Sequence, residues 1–202
     1  MCCRFFWSED AADRLERELG ETYHFAGGEK EQSGAFDIRP QDVAAILIKS
    51  PQGQDEHGLA LRKMTWGFPS PKGNGLLINA RAETADLKPT FSEALAYHRC
   101  LIPASGFYEW DKDKNRATFT SEDTSLLYLC GIYQLVENME RFVVLTTDAN
   151  ASMIPVHDRM PLFVGKDAVS NWLGKDDGYK GIISSVMPPL SCKRDYEQIS
   201  LF

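Results

Sequence analysis

Residues 126–147 read LLYLCGIYQLVENMERFVVLTT, and the fold follows from this stretch outward. LLYLCGIYQLV and RFVVLTT are two runs rich in aliphatic and aromatic residues, and the polar ENME between them predicts a hairpin turn. Working back along the chain, RCLIPASGFYEW (99–110) reads as extended chain, and VAAILIK (43–49), ahead of the breaker PQGQ, as a buried strand. LALRKMTWGF (59–68) and LLINA (76–80) read as strands around the turn-rich PSPKGNG. Helices are few. EDAADRLEREL (9–19), with Ser8 as a possible N-cap, puts Ala11 or Ala12, Leu15 and Leu19 on one face and stops at Gly20. Thr90 and Glu93 have the spacing of a capping box for a helix running to about His98. EKEQSG (29–34) and NASMIPVHDRMP (150–161) read as loops, AVSNWLG (168–174) as a short helix and residues 193–202 as a polar C-terminal tail. Many strands beside few helices predict an α+β fold, one domain over residues 1–202, with a curved, barrel-like, mainly antiparallel sheet.

Composition excludes several classes. Five cysteines at 2, 3, 100, 130 and 192 show no CxxC spacing, which suits neither a disulfide framework nor a zinc site, and the four histidines add no ligand pattern. No metal and no cofactor are expected, and the expected compartment is reducing. The longest apolar run, Leu126–Val136, is interrupted by Gln134 and too short for a bilayer, and the N-terminus has no apolar signal core. The expectation is a soluble, cytoplasmic monomer. A net charge of −7 argues against a protein that coats duplex DNA with its whole surface. Residues 59–88 run the other way, with Arg62, Lys63, Lys72, Arg81 and Lys88 against Glu83 and Asp86.

Four short stretches carry chemistry. Cys2 follows the initiator Met1. Once Met1 is removed, its amine condenses with an aldehyde to an imine, and its thiol closes on the imine carbon to give a five-membered thiazolidine. The free amine has an unperturbed pKa of about 7.7–8.0 and is partly neutral at cellular pH. The plainer reading is a small residue that permits methionine removal, with Cys3 a buried hydrophobe. NARAET (79–84) puts Asn79 and Arg81 on one strand face, a neutral donor beside a phosphate-shaped cation; an edge strand with polar ends reads equally well. GFYEW (106–110) sets Glu109 among aromatics: facing a pocket, a carboxyl is desolvated and becomes a usable proton donor, whereas an exposed Glu on a strand is the commoner case. PVHDRMP (155–161) brackets His157, Asp158 and Arg159 between prolines, which gives an acid or base near neutrality or a satisfied loop histidine.

Together, MC-R-F at the start, DIRP-Q near 37, WG at 66, NARAET at 79, RCLIPASGFYEW at 99 and TTDAN--M--VHDRMP from 146 resemble the SOS-response-associated peptidase (SRAP) family of abasic-site processing proteins. The matches run in order from Cys2 to Pro161. The resemblance implies the family's fold and a protein that removes its own Met1 and traps the aldehyde of abasic sites in single-stranded DNA as a thiazolidine, working at the nucleoid during DNA damage. It implies Cys2 as the nucleophile, Asn79 holding the cysteine and the sugar oxygen, Glu109 moving protons, and His157 assisting imine chemistry and reversal. Arg4, Arg81 and Arg159 are implied at phosphates, and Trp66 against a base. One departure is Cys3, where the family usually has glycine.

Two rival readings stand beside it. One is a thiol peptidase using Cys2 and His157; the other is a non-catalytic reader of single-stranded or modified DNA. At the other end, Gln198, Ile199, Ser200, Leu201 and Phe202 resemble the short motif by which bacterial replication and repair proteins dock on the DNA sliding clamp. The same apolar residues would also serve as a terminal strand packed on the domain.

Overall fold

A computed structural model of the chain describes residues 3–19, 36–50, 58–123, 126–174 and 177–195. The chain starts with β1 (Arg4–Trp7) and α1 (Glu9–Leu19), then β2 (Phe36–Ile38), β3 (Val43–Lys49), β4 (Leu59–Trp66) and β5 (Phe68–Pro69). β6 (Leu76–Leu77), β7 (Asn79–Arg81) and a 3-10 turn, Ala82–Thr84, lead to α2 (Ser92–Tyr97), β8 (Arg99–Ala104) and β9 (Gly106–Trp110). β10 (Arg116–Ser121), β11 (Leu127–Val136), β12 (Met139–Asp148), β13 (Arg159–Pro161) and β14 (Phe163–Val164) follow. The described chain ends with α3 (Val169–Leu173), α4 (Gly178–Ile183) and β15 (Leu190–Arg194).

The hairpin forms as its sequence predicts. β11 and β12 pair from Val136 opposite Met139 to Gly131 opposite Val144. Glu137 and Asn138 turn the chain with φ of 50° and 62°, the left-handed pair that matches strand twist in a two-residue hairpin. β12 then pairs with β4, β4 with β3, β3 with β8, and β8 with β11, so these five strands close into a barrel. Closure brings backbones close: a Cβ on Gly131 would lie 2.6 Å from Ile102 Cδ1 and 2.9 Å from the Val143 oxygen, so no side chain fits there. Leu47, Leu101, Ile102, Leu129, Ile132, Val143 and Leu145 are buried in the core.

A second sheet, in the order β15-β10-β9-β1-β2, stands beside the barrel. RCLIPASGFYEW is therefore not one strand. The chain leaves the barrel at Ser105, whose N–H donates to the Phe6 oxygen at 2.9 Å, and enters the second sheet as β9. Two further expectations are corrected. Phe91, not Thr90, sits at the N-cap of α2, with no side-chain cap, so the Thr90/Glu93 capping box does not form. Lys193 and Arg194, read as tail, pair with Thr118 and Ala117 in β15. No helix among the described residues is long and apolar enough to cross a membrane.

Candidate active site

The site begins where the first strand begins. β1 runs antiparallel to β9, with Arg4 opposite Tyr108 and Phe5 opposite Phe107. One residue further back, the same register sets Cys3 level with Glu109. Alternation puts Glu109 on the face of Phe107, which is buried in the core, and Glu109 itself is only 3% exposed. The exposed-strand reading of this carboxylate is thereby excluded. Its Oε1 accepts the Trp110 N–H at 3.3 Å. Cys3 is half-buried, and its thiol pKa is raised, first by burial and then by the nearby Glu109 charge, with Arg4 pulling the other way. Cys2 lies outside the described residues.

Asn79 is the first residue of β7. β7 lies parallel to β12, with Asn79 opposite Val144 and Arg81 opposite Thr146. Ile78, just before it, accepts the Trp66 indole N–H at 2.9 Å. Trp66 is fully buried, 5.1 Å from the Phe5 ring and 6.0 Å from that of Phe142. The expectation that Trp66 meets a DNA base is corrected: its ring is covered by two phenylalanines and its donor is used by backbone, so it ties β4 to β1, β12 and the residue before β7.

The arginines divide sharply. Arg81 is exposed. Arg159, expected at a phosphate, is 8% exposed and turned inward. Its Nη1 and Nη2 donate to the two carboxylate oxygens of Glu83, Nη1 also donates to Asp148, and Nη2 donates to the Thr146 carbonyl at 2.7 Å. Burial alone would lower the Arg159 pKa; the bonds to Glu83, then Asp148, outweigh it and hold the group charged. In return the Arg159 bond keeps the Glu83 carboxyl below its usual value. Arg4 is likewise engaged, paired with the buried Asp37 and lying 5.3 Å from the centre of the Tyr108 ring. Both arginines, as placed, face carboxylates of their own chain. These partners were missed in the sequence, although Asp37 lies inside DIRP and Glu83 inside NARAET. A carboxylate flanked by apolar residues, as in FDI, is the one signal that would have found Asp37.

His157 follows the turn-rich segment after β12, its side chain 28% exposed. Its Nδ1 accepts the Arg159 N–H at 2.9 Å and also lies 2.9 Å from Asp158 Oδ1. A backbone N–H can only donate, so in the neutral ring Nδ1 carries the lone pair and Nε2 the proton; the Asp158 contact becomes favourable when the ring is protonated. Among the described residues no group of three or more His, Cys, Asp or Glu side chains could hold a metal ion.

A closed mainly antiparallel barrel, with a second sheet that seats the head of β1 beside a buried carboxylate, defines an α+β protein whose site is built around its first strand. The chain belongs to the SOS response associated peptidase (SRAP) family, whose model matches residues 1–199. That match extends well past Pro161, where the recognisable motifs stop. Among curated relatives, the abasic site processing protein YoaM of Bacillus subtilis is 29% identical over 204 residues, covering 94% of this chain and 86% of its own. YedK of Escherichia coli, named likewise, is 27% identical, covering 87% of this chain and 81% of its own. HMCES of Xenopus tropicalis, of the same name, is 26% identical, covering 69% of this chain and 53% of its own. A crystal structure of a Bordetella bronchiseptica protein has the same fold, with a TM-score of 0.73 at 21% identity, covering 97% of this chain and all of the other. A phage-related protein from the same organism gives a TM-score of 0.72 at 20% identity, with 97% and 95% covered.

Proposed function

We propose that this protein processes abasic sites in single-stranded DNA, trapping the ring-opened aldehyde on Cys2. The observation that carries this reading is the buried Glu109 at the level of Cys3, one peptide bond from the proposed nucleophile. The names of the relatives support the substrate. In the proposed sequence, hydrolysis of the Met1–Cys2 bond by the protein itself frees the amine. The amine nitrogen adds to the aldehyde carbon, the resulting carbinolamine loses water to a protonated imine, and the thiol sulfur adds to the imine carbon as the thiol gives up its proton. Glu109 gives a proton to the departing hydroxyl and takes one during closure. Asn79 holds the cysteine and the sugar oxygen, and His157 assists imine formation and reversal. Arg81 grips a flanking phosphate.

An oligonucleotide with one abasic site, run on a denaturing gel after incubation, tests the reading. A slower band is expected with the abasic single strand and none with intact strands or after borohydride reduction of the aldehyde. Cys2→Ala abolishes it, and Glu109→Gln slows it roughly 10²–10⁴-fold. Equal shifts on intact DNA would overturn the reading. For delivery, the proposed docking partner is the bacterial sliding clamp, through Gln198, Ile199, Ser200, Leu201 and Phe202, which lie outside the described residues. A peptide of the last ten residues should bind purified clamp at about micromolar affinity and lose it when Leu201 and Phe202 become Ala.

A further inference from the structure

Arg159 faces more acid than its charge requires. Glu83 holds the end of the guanidinium at two points, and Asp148 reaches Nη1 as well. The two carboxylates differ in exposure: the Glu83 side chain is 37% exposed, that of Asp148 88%. Asp148 is the last residue of β12, directly opposite Arg159 in the register with β13. Nε of Arg159 is buried with no hydrogen-bond partner among the described residues, so an incoming anion meets the guanidinium at its Nη end. Exposed Arg81 lies opposite Thr146, whose carbonyl also binds Arg159, so both guanidinium-bearing residues sit at one end of β12.

We infer that Asp148 is the displaceable partner of Arg159: when a single strand lies against Arg81, a backbone phosphate takes the place of the Asp148 carboxylate, while Glu83 keeps its two-point hold. This rests on the proposed DNA-binding function. The Asp148 side chain is 88% exposed and meets Arg159 only at Nη1, and a phosphate offers that same donor an anion of higher charge while Glu83 keeps the buried guanidinium paired. Without DNA, Glu83 and Asp148 set two carboxylates against the one guanidinium of Arg159. Asp148 thus sets how weakly intact DNA is held.

Fluorescence anisotropy with a short, intact, single-stranded oligothymidine tests this on the full chain. Asp148→Asn should bind about three- to fivefold more tightly than wild type at low salt, with the gain shrinking as salt rises. Asp158→Asn removes the same charge from the adjacent loop but frees no part of Arg159, and should give less than half that gain. Equal gains from the two variants, or no gain from Asp148→Asn when wild type binds measurably, would overturn the inference. No binding by wild type or either variant, together with no adduct on abasic strands, would instead overturn the DNA reading on which it rests.

Discussion

Arg159 and Glu83 meet in a two-point ion pair, with Nη2 donating to Oε2 at 2.8 Å, and it fastens the 3-10 turn after β7 to strand β13. The pair joins residues 76 apart in sequence, so it is a tertiary clasp.

The clasp and the exposed Arg81 should separate in mutants. Arg159→Gln leaves Glu83 and Asp148 uncompensated and should cost about 1–3 kcal/mol of stability, less than for a fully buried pair because Glu83 is over a third exposed. Arg81→Ala should leave stability within about 0.5 kcal/mol and flatten the salt dependence of single-strand binding by roughly one phosphate contact. The lowered Glu83 pKa gives the clasp a pH signature. Its contribution is full above the ordinary glutamate value, near 4.3, and is lost as pH falls through the lower folded value. Glu83→Gln should remove that part of the acid sensitivity, read by urea titrations at a series of pH values.

Trp66 marks where motif and role part company. Trp66→Phe removes the donor to the Ile78 carbonyl and part of the ring against Phe5, so stability should fall by about 1–3 kcal/mol with little change in affinity for intact single strands. Urea unfolding and anisotropy on the same sample check both halves. A drop in affinity with unchanged stability would return Trp66 to the DNA surface.

How far the sequence could be read follows from the range of the interactions involved. The β11–β12 hairpin was legible because apolar runs and a polar turn are local features. β15 was not: of LSCKR only Leu190 is buried, and the strand exists because it pairs with β10 about 70 residues away. Thr90 and Glu93 had the right spacing for a cap, but the chain enters α2 one residue later, at Phe91. At the site, Glu109 is legible as a carboxylate among aromatics, whereas phosphate contacts for Arg4 and Arg159 come only from the family resemblance. Their true neighbours, Asp37 and Glu83, come from distant segments and leave no pattern beside either arginine.

The proximity of Cys3 to Glu109 yields the last prediction. A thiol reacts as its thiolate, and a raised pKa means less thiolate at any pH near neutrality, so Cys3 should alkylate slowly. Cys192, on the exposed face of β15, should react with iodoacetamide first. Cys3 should follow, its rate still climbing with pH where an ordinary thiol has levelled off. Cys100 and Cys130, fully buried and with thiol pKa values raised well above normal by that burial, should react only on unfolding. Glu109→Gln removes the charge that, after burial, most opposes ionisation of Cys3, so it should speed alkylation of Cys3 while leaving Cys192 unchanged. Peptide mapping by mass spectrometry over a pH series reads all four sites together. If Cys3 matched Cys192 in wild type, or ignored the Glu109 substitution, the carboxylate would not be facing the head of β1, and its assignment as the proton carrier for the neighbouring Cys2 would lose its structural support.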